Sequence, residues 1–201
     1  MAEDSDLRKI AERLYERALE LDSLKFGDFT LSSGQKSTYY FDGRMLSTDP
    51  EGADLISQAF ISAIVDAGAG AFGGPTVAAV PIVGSLALRA RFDGRDLTGF
   101  FVRPETKEYG AGRQIEGNLK PGMKVAVFDD TVSTGGSLLA AIDAVEAFGC
   151  EVVLVLAVLD RHQGGGDELE RRGIPFFKLW ESTPEGKVTI AVSRATFSES
   201  S

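Results

Sequence analysis

The sequence predicts an α/β fold: a central, mostly parallel sheet flanked by helices. Apolar runs at residues 72–76, 97–103, 123–128 and 152–159 have the length and β-branched or aromatic content of strands, and helical patterns separate several of them, the alternation that builds a parallel sheet. The run from Val152 is almost unbroken in apolar residues, as a strand covered on both faces requires. The third observation is Val125-Ala-Val-Phe-Asp-Asp-Thr-Val-Ser-Thr-Gly-Gly-Ser137, where an apolar run ends in two carboxylates and a hydroxyl- and glycine-rich turn opens into the amphipathic segment 138–148. It reads as strand, anion-holding loop and helix.

The elements follow in order. Leu7, Ile10, Ala11, Leu14, Ala18 and Leu21 recur at helical spacing, so roughly the first twenty residues form an amphipathic helix. Residues 25–42 alternate aromatic and polar types around Ser32-Ser33-Gly34, the pattern of a hairpin-like excursion. Asp49-Pro50-Glu51 supplies a cap and a first-turn proline for a helix running through Ile56, Phe60 and Ile64 to Gly68 and Gly70. A glycine-bearing strand-to-helix turn, residues 73–82, leads to a helical stretch at 85–91, and Gly164-Gly165-Gly166 reads as a flexible turn. The polar tail 193–201 is expected to fray.

With 201 residues and 43% hydrophobic content the chain can bury one core, and a single domain over residues 1–201 is expected. Lys plus Arg number 21 against 30 Asp plus Glu, a net charge of -9 that argues against nucleic acid or an anionic membrane as partner. A lone cysteine, Cys150, excludes an intrachain disulfide framework and reads as a small buried hydrophobe. The acidic N-terminus does not resemble a signal peptide, and no apolar run approaches membrane-spanning length, so a soluble, cytoplasmic protein is expected.

The chemistry starts at the glycine turn. Thr131, Ser133, Thr134 and Ser137 offer hydroxyls, while Gly135 and Gly136 let backbone N–H groups close on an anion at a helix N-terminus. The loop lacks the lysine of a P-loop and the three-glycine spacing of a dinucleotide fingerprint. Asp129 and Asp130 would repel a phosphate unless they had another task, such as accepting hydrogen bonds from vicinal hydroxyls; a phosphorylated ribose has both parts. The alternative is an Asp-Asp-Thr helix cap before an ordinary glycine turn.

This segment resembles the phosphoribosyl pyrophosphate (PRPP) signature of type I phosphoribosyltransferases, with Asp129 where the first acid is usually Glu. The resemblance implies that fold, with a small N-terminal hood mainly from about residues 1–45, a 5′-phosphate held by Thr131, Val132, Ser133, Thr134, Gly135, Gly136 and Ser137, and ribose hydroxyls on Asp129 and Asp130. Three further segments resemble the orotate phosphoribosyltransferases in particular. Phe26-Gly-Asp-Phe-Thr-Leu-Ser-Ser-Gly-Gln-Lys-Ser-Thr-Tyr-Tyr-Phe-Asp-Gly-Arg44 is similar to their substrate-covering segment, which implies that Tyr40 and Phe41 lie against the pyrimidine; the alternative is that these aromatics are hood core. Ser32 stands where some members carry a lysine.

Residues 100–117 have the charged, glycine-bearing composition of a lid and resemble the family's Arg-Lys-x-x-Lys-x-His-Gly and Ile-Glu-Gly pattern. Arg103, Lys107, Gly110, Ile115, Glu116 and Gly117 match, while Pro104 replaces a lysine and Tyr109 the histidine. Lys107 becomes the lid's expected catalytic charge, with Arg103 and Tyr109 beside it on PRPP; a solvated charged loop is the other reading. Finally, Val158-Leu-Asp-Arg-His162 ends the long apolar run. A planar guanidinium suits bidentate carboxylate recognition, and the resemblance places Arg161 on orotate together with Ser133. The alternative is an ion pair between Arg161 and Asp160. His162 is read as a loop residue.

The turn at 73–82 resembles the family's pyrophosphate loop. Taken together, the resemblance implies transfer of phosphoribosyl from PRPP to orotate, catalysed by Lys107, Arg103, Asp129 and Asp130. The resemblance also implies Mg²⁺ carried in by PRPP without a protein metal site, and a homodimer whose lid acts across the interface as the working unit. A purine or other nucleobase phosphoribosyltransferase, or a PRPP-sensing regulator without activity, are the competing readings.

Overall fold

The computed structural model describes residues 2–30, 34, 36–104 and 114–192. Helix α1 (Ala2–Glu20) sets Ala11, Leu14 and Ala18 fully inside, the face expected from the spacing. Strands β1 (Leu24–Thr30) and β2 (Lys36–Phe41) pair antiparallel as the hood hairpin, with an irregularity between Phe26 and Phe29. The short α2 (Gly43–Ser47) is capped by Asp42, and α3 (Pro50–Asp66) by Asp49, whose carboxylate accepts from Gly52 N at 2.9 Å.

The main sheet has seven strands among the described residues, in the order β5-β4-β3-β6-β7-β8-β9. Its parallel body is β3 (Ala71–Pro75), β4 (Thr98–Val102), β6 (Lys124–Val132), β7 (Glu151–Asp160) and β8 (Phe176–Ser182); the antiparallel edges are β5 (Ile115–Gly117) and β9 (Val188–Ile190). Helices α4 (Ala79–Phe92), α5 (Gly136–Ala147) and α6 (Gly165–Arg171) complete the layers. The α/β expectation holds, and the strand candidates lie where the apolar runs place them.

Four details differ from the sequence reading. Helix α4 begins at Ala79 instead of Ser85, because Ala-Val-Pro-Ile continues the turn with proline in its first turn. Strands β8 and β9 lack an uninterrupted apolar run, since Lys178 and Glu181 point to an ionic cluster at one end of β8. Strand β5 is a short edge element. The triglycine is not a free turn: Gly164 caps α6 at φ 101, while Gly165 and Gly166 belong to the helix.

Strand alternation divides the core across the sheet. In β6, Ala126 and Phe128 join the layer under α1, α3 and α4, while Val125 and Val127 join the layer under α5. Trp180 ties the hood to this body. Its indole N–H donates to Ala11 O at 3.1 Å, and its ring meets Tyr15 and Phe41 edge-on at 5.6 and 5.7 Å. Cys150 is buried, with its thiol pushed up by desolvation. Among the described residues no helix is long and apolar enough to cross a membrane.

Candidate active site

Ligands of open α/β sheets collect beyond the carboxyl ends of the strands, and a cleft of about 740 Å³ lies there, between hood and sheet. Tyr40, Phe41, Asp42 and Arg44 face it from the hood side; Asp130, Thr131, Ser133 and Thr134 face it from β6 and its loop, and Arg161 closes one end. The glycine turn ends with Gly135, at φ 80, as the N-cap of α5, a left-handed conformation natural to glycine. Val132, expected from sequence to touch the 5′-phosphate, is 1% exposed and is not among the residues that line the cleft.

The adjacent carboxylates take different orientations. Asp129 is 6% exposed; its side chain accepts from Asp130 N at 2.9 Å and Ser137 Oγ at 3.2 Å, and burial together with the Asp130 charge pushes its pKa up to about 7. Asp130 lines the cleft, and its pKa is also raised, by burial and then by Asp42. A side chain at Gly43 would collide with Asp130: an added Cβ would lie 2.5 Å from its Oδ2 and 2.6 Å from its Cβ. Beside this pair, Asp42 and Arg44 form a two-point ion pair, with contacts of 2.9 and 2.8 Å. Asp42, Gly43 and Arg44 were not singled out from sequence; the visible signal was only their position at the end of the hood motif.

At the other end, Arg161 is anchored by its backbone, its N–H donating to Val132 O and its carbonyl accepting from Ser182 Oγ, each at 2.8 Å. Its guanidinium lies over the ring of Tyr39, 5.1 Å from the centroid, and its Nε is buried without a hydrogen-bond partner among the described residues. Asp160 is not its counter-ion. That carboxylate, 1% exposed, accepts from Lys178 Nζ at 2.8 Å and His162 N at 2.9 Å, which removes the ion-pair reading of Arg161. His162 sits at φ 50 with its ring 3.1 Å from Glu181.

The two hood aromatics divide between faces. Tyr40 is 38% exposed toward the cleft, tilted against Phe29 at 5.9 Å, whereas Phe41, 6% exposed, gives most of its ring to Trp180 and only an edge to the cleft. Tyr39, overlooked in the sequence, shares Phe41's face of β2 by period-two alternation. Arg103 follows β4, its N–H donating to Gln114 O at 2.9 Å and its guanidinium 3.5 Å from Glu116. Lys107 and Tyr109, like Ser32, lie outside the described residues.

A family model for the phosphoribosyl transferase domain matches residues 53–176. The chain is 40% identical over 180 residues to the orotate phosphoribosyltransferase of Rhodopirellula baltica, covering 87% of this chain and 92% of that one. It is 42% identical over 168 residues to that of Aquifex aeolicus, covering 82% and 92%. The chain belongs to the orotate phosphoribosyltransferase family. The fold agrees with the Mycobacterium tuberculosis orotate phosphoribosyltransferase in complex with Fe(III) dicitrate, at a TM-score of 0.71 and 33% identity over 86% of this chain and 94% of that one. A second structure of that enzyme contains PRPP, at a TM-score of 0.67 and 30% identity over the same shares. The cleft therefore has an acid-and-hydroxyl half and an arginine end.

Proposed function

We propose that the protein transfers the phosphoribosyl group of PRPP to N1 of orotate, giving orotidine 5′-monophosphate and pyrophosphate for pyrimidine (UMP) synthesis. The observation that carries the acceptor is Arg161, which lines a cleft shared with the Asp130–Thr134 loop and whose Nε is buried without a partner among the described residues. A buried donor without a partner costs roughly 1–3 kcal/mol, and a planar carboxylate relieves it. Orotate carries that carboxylate; adenine and hypoxanthine do not.

In the reaction the bond from C1′ to the pyrophosphate oxygen breaks, its electron pair leaving with pyrophosphate, as N1 of orotate forms the new bond to C1′ and gives up its proton to the departing pyrophosphate or to water. Positive charge develops on the ribose, so the protein orients two substrates and stabilises separated charge. The 131–137 loop holds the 5′-phosphate and Asp130 meets the ribose hydroxyls, while Asp129, buried and outside the cleft lining, braces the loop through Ser137 instead of meeting the sugar directly. Tyr40 and the edge of Phe41 cover orotate, with Arg161 and Ser133 on its polar groups. Arg103, Lys107 and Tyr109 act on the pyrophosphate from the lid.

Mg²⁺ fits this site as an ion carried by the pyrophosphate. Asp42 and Asp130 present hard oxygen donors to the cleft, yet among the described residues no three acidic, histidine or cysteine side chains form a metal cage. When bound, the ion would neutralise the departing pyrophosphate. We read the chain as one domain working as a cytoplasmic homodimer; Val80, Leu88 and Phe92 leave an apolar stripe on α4, Phe92 at 77% exposure, which suits a second copy.

The test is pyrophosphate release from PRPP and Mg²⁺ with orotate, adenine or hypoxanthine as acceptor. Release with orotate alone, lost in Arg161→Ala, is expected. Turnover of a purine base, or PRPP binding with no turnover of any acceptor, overturns the reading. Retained activity in Lys107→Ala removes only the lid assignment.

A further inference from the structure

We infer that Gly165, the first residue of α6, is a positioning residue that aims the backbone donors of the phosphate loop. The inference rests on the proposal that residues 131–137 hold the 5′-phosphate. Two successive loop carbonyls are tied to the segment after β7: Val132 O accepts from Arg161 N at 2.8 Å, and Ser133 O accepts from Gly165 N at 2.9 Å. In a trans peptide the C=O and the following N–H point in opposite directions. Tying those two carbonyls back therefore turns the Ser133 and Thr134 amides away from the 161–165 segment, and both residues line the cleft.

This arrangement needs glycine at 165 for a steric reason. An added Cβ would lie 2.6 Å from Val132 Cγ1, 2.8 Å from Ser133 O and 3.0 Å from Gly135 N. Two of those three atoms are backbone, so no rotamer change relieves them. The contact is reciprocal: a Cβ on Gly135 would lie 3.1 Å from Gly165 Cα. Two chain segments thus meet backbone to backbone, and a methyl group between them lengthens the Gly165–Ser133 hydrogen bond and rotates the peptide that presents Thr134 N–H.

Calorimetric titration with ribose 5-phosphate, which needs no turnover, reads the loop directly. Gly165→Ala is expected to weaken binding at least tenfold and to raise the KM for PRPP with the KM for orotate within about threefold. Gly173→Ala, at the far end of α6 where φ is 69 and the surroundings are open, strains the same helix without touching the loop and is expected to bind within twofold of wild type. Ribose 5-phosphate affinity within twofold of wild type in Gly165→Ala overturns the inference. If that variant does not fold, amide exchange in the wild type decides: ribose 5-phosphate must slow exchange at Gly165, and unchanged exchange overturns the inference. A wild type that binds ribose 5-phosphate yet makes no pyrophosphate from orotate sinks the proposed activity alone; one that binds neither sinks both.

Discussion

The guanidinium of Arg161 rests on the ring of Tyr39, 5.1 Å from its centroid, with Nε buried and unpartnered among the described residues. Strand β2 and the end of β7 thus meet at one cation–π contact, and the hood fixes the group that we propose for acceptor recognition. A desolvated contact of this kind contributes about 0.5–2 kcal/mol. Tyr39→Leu is expected to raise the orotate KM by about 2–30-fold through that loss, with the PRPP KM nearly unchanged, while Tyr39→Phe stays close to wild type. Steady-state kinetics with each substrate varied separately checks this.

Arg161→Lys retains a charge and loses the planar fork and its stacking. Orotate affinity should fall at least tenfold, as the loss of a bidentate charged contact implies, and ribose 5-phosphate affinity should hold. Equal loss of both ligands would show a collapsed cleft instead of a missing recognition group.

The close approach of Gly43 to Asp130 makes Gly43→Ala an overpacking substitution, costing about 1–3 kcal/mol if the site relaxes only in part. Its expected signature is a lowered kcat/KM for PRPP from a displaced Asp130. A crystal structure of the variant with Asp130 unmoved would contradict the explanation.

Asp129 yields a pH prediction. Its carboxyl is held above the ordinary aspartate range, at about 7, by burial and by Asp130, so the folded state binds the proton more tightly than the unfolded chain. The associated stabilisation is present below the ordinary aspartate range and fades as pH rises through about 7. Denaturant titrations at pH 5 and pH 8 should find the wild type losing stability across that interval and Asp129→Asn losing less. Parallel losses in the two proteins would reject the assignment.

Trp180, the only tryptophan, joins α1, the hood and β8. Trp180→Phe removes the bond to Ala11 O and part of a packed ring, for a loss of about 1–3 kcal/mol. Chemical denaturation followed by circular dichroism measures it.

Much of this protein is legible along the chain because the physics is local. Period-3.6 spacing marks α1 and α3, apolar runs mark β6 and β7, and the carboxylate-hydroxyl-glycine order of residues 129–137 points to the anion loop we propose. What remains hidden depends on distant partners. The burial of Asp129, Phe41's commitment to Trp180, and Tyr39 beneath Arg161 are set by which strand face meets which neighbour. Gly165 looked like slack because its constraint comes from residues 132–135, thirty positions earlier in the chain. The one-dimensional pattern specified the elements and the chemistry of the loop; close packing of the hood and α6 against that loop selected which acid faces the cleft, which aromatic holds the arginine and where glycine is required, because hard-core contacts form only when remote segments meet.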